Sequence, residues 1–384
     1  MAANGRPSVL DLTDRAAAYA ARLLVDLGAG VIRVDGPDRA RGRHPDRWLD
    51  AGKRSIGLDL RASQAVEVLA RLCAAVDVVV DGMDPAFAQT DAVYERCRAA
   101  NPRLTWVAIR PLAADARGAG AKSAEIVRYA QSGLMSITGM PDAPPVLVGG
   151  GLADAVTATF GALACLLGYR AARQSGAGRL VRVSAHEALS LLMQQGLYEA
   201  AFSGRVTRRG GHRHAHIAAA GALECRDGYV VVSANERRMW SALVEMVGDD
   251  RLRDEALTDE RVRLERQGEI FDILGTWARR FSKADLAEMA QARGIPAAPV
   301  HDLDDLERDP QLRARGFFQP TDGEDMPVLV TPWRRRHEAA PRPGAHTEAV
   351  LTEAGFSREE IARLRAAGAV YGAAVPIHSS GAGA

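Results

Sequence analysis

The chain has 384 residues, 47% of them hydrophobic and 25% charged, enough to bury a large core and to divide into two domains. Lysine plus arginine (49) nearly cancels aspartate plus glutamate (48), which excludes a global field that would recruit nucleic acid or an anionic membrane, so any bound anion must be held by a local cluster. The four cysteines, Cys73, Cys97, Cys165 and Cys225, are dispersed without CxxC pairs, which argues against a disulfide framework or a zinc site and for reduced thiols in a cytoplasmic protein.

In chain order, the N-terminal MAANGRPSVLDLT has no basic stretch ahead of an apolar run, so no secretory signal is predicted. Short apolar runs then alternate with helical patterns: SVLDLT, RAAAYAARLLVDLG, AGVIRVDG, KRSIGLDL, ASQAVEVLARLCAAV, DVVVDG and RLTWVAIRPL. Strands separated by helices of this length predict a parallel α/β sheet of Rossmann-like type, with binding at the carboxyl ends of the strands. The turn after the first strand reads DLTDRAAAYA and has no GxGxxG, so a standard dinucleotide site is not expected. From Glu125 to Leu197 the pattern is mostly helical apart from the strand-like GRLVRVSAH. The apolar stretch from Ala153 to Tyr169 is about one turn short of a bilayer span and carries Gly161 and Gly168 as interruptions, so it predicts a buried core helix and no membrane segment.

The segment FSGRVTRRGGHRHAHIAAAG has no periodicity and predicts an interdomain loop; a hairpin at ALECRDGYVVVSA, centred on Asp227-Gly228, opens a smaller α+β unit. The expected boundaries are therefore a large domain over 1–200, a linker over 201–220, a small domain over 221–320 and a return to the large domain over 321–384. That return carries a strand at MPVLVTPW, a helix at SREEIARLRAAG with Ser357 and Glu360 in capping-box positions, and a disordered tail.

Among residues suited to chemistry, Asp154 follows Gly149-Gly150-Gly151 and opens an apolar helix. Its plain reading is a helix N-cap; its functional reading is an ionised, accessible nucleophile favoured by the helix dipole. Arg39, Arg41, Arg43 and Arg47, followed by Lys53, Arg54 and Arg61, form a basic stretch suited either to a phosphate or to solvent. Gly210-Gly211 offers backbone N–H donors for an oxyanion. His212, His214 and His216 alternate as they would on one strand face, but they lack an adjacent Cys or acidic partner, so no metal site is expected.

Together VLDLT, LLVDLGAGVIRVDGP, KRSIGLDLR, VDVVVDG, NPRLTWVAI, SGLMSITGMPDAPPV, the LAD of Asp154, RGIPAAPVHDLDDLERDPQLRARGFF and PGAHTEAVLTEAGFSREEIARLRAAGAV resemble the class III CoA-transferase (CaiB/BaiF) family, which includes formyl-CoA transferases and α-methylacyl-CoA racemases. The ordered match runs from Val9 to Val370. The resemblance implies an interlocked, ring-like homodimer and transfer of CoA from an acyl-CoA to a carboxylic acid, with Asp154 as nucleophile through anhydride and aspartyl-CoA thioester intermediates. It implies no permanent cofactor, coenzyme A being substrate. It also carries CoA contacts onto Leu58, Arg61, Gly82, Met83, Lys122 and Glu125, and a mobile glycine loop onto Gly210 and Gly211.

The chain departs from the family pattern at several places. Ala16-Ala17-Ala18 replaces an AGP turn, and the Gln of formyl-CoA transferases falls at Arg15 or Ala16. Gly82-Met83 replaces Asn-Phe, and Ala124-Glu125 replaces a Tyr-acid pair. The racemase His falls at Ala124, which cannot move a proton. Three readings follow: a transferase with an altered acceptor site, a CoA-binding paralogue or partner subunit without catalysis, and an acyl-CoA racemase or epimerase using other proton donors. Donor and acceptor acids are not identified by the sequence.

Overall fold

In the computed structural model, residues 5–13, 16–37, 46–82, 90–113, 123–321, 324–331, 333 and 338–372 are described. These residues fall into two units, one drawn from 1–132, 149–192 and 311–384, the other from 133–148 and 193–310. Residues 133–148, grouped in the sequence with the large domain, thus pack in the second unit. So does the 201–220 segment read as a linker.

The first unit is built on strands β1 (Ser8–Leu12), β2 (Gly30–Asp35), β3 (Arg54–Leu58), β4 (Val78–Asp81), β5 (Thr105–Arg110) and β6 (Leu180–Ser184). They lie in the order β3-β2-β1-β4-β5-β6, all parallel, and a C-terminal strand, Val370–Tyr371, adds antiparallel to β3 at the edge. Runs such as Val78–Val80 are apolar throughout because both faces of the sheet are covered.

Alternate residues point to opposite faces. Leu10, Val79 and Trp106 pack with helices α1 (Ala65–Ala74) and α2 (Thr90–Ala100) and with the C-terminal helices Thr347–Glu353 and Arg358–Ala366. Val9, Val80, Val107 and Ile109 pack against the helix Ala18–Asp26 and the long helix α3 (Leu152–Ser175). The last C-terminal helix begins with Ser357 and Glu360 exchanging both capping-box bonds, at 3.1 and 2.7 Å.

At 24 residues, α3 is longer than the apolar stretch suggested and is long and apolar enough to cross a membrane by length and composition. Its glycines do not interrupt it. A Cβ on Gly161 would lie 2.4 Å from Ile109 Cδ1, and one on Gly168 would lie 2.4 Å from Thr105 Cγ2, so both glycines let the helix settle closely on β5. Only that face is buried: Phe160, Leu163 and Leu167 are exposed, so the expected buried core helix is covered on one side alone.

In the second unit, β7 (Ala220–Cys225) and β8 (Gly228–Ser233) form an antiparallel hairpin, extended by β9 (Ala297–Pro299). Its loop is Arg226-Asp227, with Gly228 already in the strand at φ +141°, one residue earlier than the sequence placed it. Leu223, Val230 and Val232 pack under Trp240, Leu243, Phe271, Leu274 and Leu286. The MPVLVTPW strand is found as Glu324–Leu329, paired antiparallel with Phe318–Thr321.

Candidate active site

The strand order reverses between β1 and β4, and in open α/β sheets ligands bind at such a point, outside the carboxyl ends of the strands. Here the segments that leave β1 and β4 approach closely. A Cβ on Gly82 would lie 2.4 Å from Ala17 Cβ and 3.4 Å from Thr13 Cβ, so this position needs glycine for packing whatever else it touches. The turn after β1 is fixed by Asp11, whose Oδ1 accepts from Thr13 N at 2.9 Å and Thr13 Oγ1 at 2.6 Å.

Asp11 belongs to a buried ionic cluster. Lys53 Nζ meets Asp11 Oδ2 at 2.8 Å and Asp50 Oδ1 at 3.6 Å; Arg33 binds Asp35 at 2.9 Å and contacts Asp50 closely; Ser55 Oγ donates to Asp35 at 2.6 Å. Burial would raise the Asp11 carboxyl, but Lys53 and Arg33 outweigh it and hold it below the ordinary value. Asp35 is shifted the other way, raised by burial against the pull of Arg33 and Ser55. Lys53 is thus already neutralised, and Arg54 is held by both oxygens of Glu353 at 2.7 and 2.8 Å, which removes both from the phosphate cradle the basic stretch suggested. Arg39, Arg41 and Arg43 lie outside the described residues, and Arg47 lies in the turn before β3.

Asp154 sits in the first turn of α3 but is not its N-cap. Gly150 and Gly151 adopt φ of +82° and +70°, a conformation glycine reaches without strain, and Gly151 occupies the cap. The capping function comes instead from the helix Glu125–Gln131, whose Glu125 Oε1 accepts from Ala153 N at 3.2 Å. The Asp154 carboxylate is therefore released from local duty, and Arg128 Nη2, one turn beyond Glu125, takes its Oδ1 in a close ion pair. The Arg128 side chain is 8% exposed and that of Asp154 30%. Among the described residues, Asp154 is the sole side-chain partner of Arg128, and Asp154 Oδ2 has none.

Other expected positions divide sharply. Leu58, the last residue of β3, is fully buried, so its side chain is unavailable and only its backbone could meet a ligand. Arg61 lies in the turn after β3, largely exposed, with Nε on Asp59 at 3.1 Å. Met83 and Lys122 lie outside the described residues, as does Arg15. Ala124 is the exposed N-cap of the helix Glu125–Gln131, with no proton-transferring group.

In the second unit, Gly211 has φ +65° and its N–H is given to Gly139 O at 3.1 Å, so it is not a free oxyanion donor; a Cβ on Gly210 would meet Arg213 O at 2.9 Å. The histidines there lie in a loop and not on a strand: His212 packs edge-on to Phe271 while His216 contacts Arg205 and Glu199. No group of three His, Cys, Asp or Glu suited to a metal occurs among the described residues.

Arg128 escaped the sequence reading. The available signal was that Glu125 and Arg128, three residues apart, share one helix face. Asp81 was missed likewise: at the end of β4 its Oδ2 accepts from Trp106 Nε1 at 3.1 Å and Arg110 Nη2 at 2.7 Å.

The geometry defines a mixed α/β protein with a large parallel sheet and a carboxylate at the exposed start of its longest helix. Comparison with known proteins makes that class specific: residues 7–347 match CoA-transferase family III, and the chain belongs to this family, also called CaiB/BaiF. It is 27% identical over 378 residues to a succinyl-CoA–D-citramalate CoA-transferase of Chloroflexus aurantiacus, covering 91% of this chain and 93% of that one. It is 28% identical over 379 residues to a succinyl-CoA:mesaconate CoA-transferase of Haloarcula marismortui, covering 90% and 95%. A CaiB/BaiF family protein from Brucella suis has the same fold, with a TM-score of 0.80 at 24% identity, covering 91% of this chain and 98% of that one.

Proposed function

We propose that this chain is a CoA-transferase that exchanges coenzyme A between two carboxylic acids, with Asp154 as nucleophile. The observation that carries the reading is that the Asp154 carboxylate, at the exposed start of α3, is spared capping by Gly151 and Glu125 and keeps Oδ2 without a partner among the described residues. Oδ2 attacks the donor thioester carbonyl carbon, and the carbon–sulfur bond breaks with its electron pair leaving on sulfur. The CoA thiolate adds to Cγ of the mixed anhydride, the donor acid leaves as a carboxylate, and Asp154 holds CoA as a thioester. An acceptor carboxylate then runs the same steps in reverse, one thioester replacing another.

The two relatives above are named for succinyl-CoA and for citramalate or mesaconate, so short dicarboxylic acids are the first substrates to try. The Rossmann-like strand order supports CoA lying across the carboxyl ends of the strands, past Gly82 and Arg61, with Met83 and Lys122 as further contacts. Exposed Phe160, Leu163 and Leu167 on α3 support a homodimer, and four buried free thiols fit a cytoplasmic location. Ala124, with no proton to give, weighs against a racemase. The experiment is a trap: incubate with succinyl-CoA and other acyl-CoAs, quench with hydroxylamine or borohydride, and map adducts by mass spectrometry. A modified Asp154 peptide is expected; CoA binding without any adduct would instead favour a non-catalytic paralogue.

A further inference from the structure

We propose that Arg128 is a carboxylate-exchange residue: its guanidinium holds Asp154 in the free protein and passes to the substrate carboxylate once Asp154 carries CoA as a thioester. The proposal rests on the transferase reading for its chemistry, and on the ion pair for its geometry.

The charges decide it. Arg128 is nearly buried and Asp154 is the one anion its side chain meets among the described residues. A buried guanidinium without an anion is costly, so the pair cannot simply be dissolved during turnover. Yet formation of the aspartyl thioester removes the negative charge of Asp154. The same step creates one negative charge close by, because the thiolate displaces the donor acid from Cγ as a carboxylate. One anion is lost and one is formed at the same place, and a planar fork that binds carboxylates in two-toothed fashion accepts either. The outgoing carboxylate then leaves in exchange for the acceptor carboxylate, which Arg128 holds beside the thioester carbon it must attack.

The pair also orders the first step. With Oδ1 on Arg128, the free Oδ2 is the oxygen presented to the donor thioester. While Oδ2 is acylated in the mixed anhydride, the carbonyl character moves to Oδ1, where the same guanidinium N–H stabilises it until the thiolate displaces the donor acid. Arg128 thus binds the reacting carboxylates in succession, which also explains why a nucleophile can be stored as an ion pair.

The test uses the full-length protein and succinate as probe, with succinamide as its uncharged counterpart. Asp154→Asn leaves Arg128 without its anion, so its thermal midpoint should rise with succinate and not with succinamide, by more than the wild type shows. The double variant Asp154→Asn/Arg128→Met, which removes both partners, should lose that response. An equal response in the single and double variants overturns the exchange. In turnover, Arg128→Lys keeps the charge and loses the fork; its KM for the acceptor acid should rise about tenfold or more while its KM for acyl-CoA changes less, a tenfold loss corresponding to about 1.4 kcal/mol. Equal changes in both constants also overturn it. Failure of the transferase reading is seen separately, as absence of an Asp154 adduct in the wild type.

Discussion

Two acid–base groups in the first unit are built on opposite plans. In the cluster of Asp11, Lys53, Arg33, Asp35 and Asp50, every member has at least two partners, and none is more than 3% exposed in its side chain. Among the described residues, the Arg128–Asp154 pair has two members, is partly open to solvent on the acidic side and leaves one carboxylate oxygen unengaged. A closed network has nothing left to offer a ligand, so its role is to fix the loop before β3 to the carboxyl ends of β1 and β2. An open pair retains both a lone pair and a reason to exchange partners. Burial and completeness of pairing both separate the two.

That contrast can be broken at either end. The largest effect is expected at the open pair: Asp154→Asn should lower CoA transfer on the order of 10^4-fold in a steady-state assay, the scale of losing a nucleophile, while circular dichroism stays native. Retained turnover would remove Asp154 from the mechanism.

Next is the closed cluster. Lys53→Met strands the fully buried Asp11 and should cost about 3–5 kcal/mol in urea unfolding, the range for breaking a buried pair. Asp11 is depressed in the fold, so its contribution is present above the ordinary carboxylate value of 3.8 and is lost as pH falls through the lower folded value. In Lys53→Met the stranded carboxyl moves up instead and is relieved by protonation. The gap between wild type and variant should therefore narrow as pH falls towards and below 3.8; a gap that widens on acidification would contradict the assignment.

The smallest effect concerns the helix that carries the open pair. Gly168→Ala places a methyl group against Thr105, a contact of 2.4 Å that the sheet must relieve, and should cost about 1–3 kcal/mol with trapping at Asp154 preserved, since the strain lies four turns from the first turn of α3. Loss of trapping would mean that the site depends on the seating of the whole helix.

Much of the frame was legible in the sequence because it is written in local periods. The apolar runs of β1, β2, β4 and β5, the helical stretches between them and the Ser357–Glu360 capping box all depend on neighbours within about four residues. Asp154 was legible as a position, through the glycines before it and the family resemblance. Its local role was not, because the choice between Gly151 and Asp154 as cap depends on backbone angles and on Glu125 arriving from another helix. Gly161 and Gly168 read as interruptions for the same reason: only the strand beneath the helix gives them a purpose.

By itself the sequence determined the alternating α/β pattern, the family and a short set of chemically able residues. The tertiary structure decided which charges meet. Lys53 goes to Asp11, 42 residues away, and Arg128 goes to Asp154, 26 residues away, while neighbouring cations in the same basic stretch take other carboxylates. Electrostatic partnership is set by distance and burial after folding, and neither scales with separation along the chain.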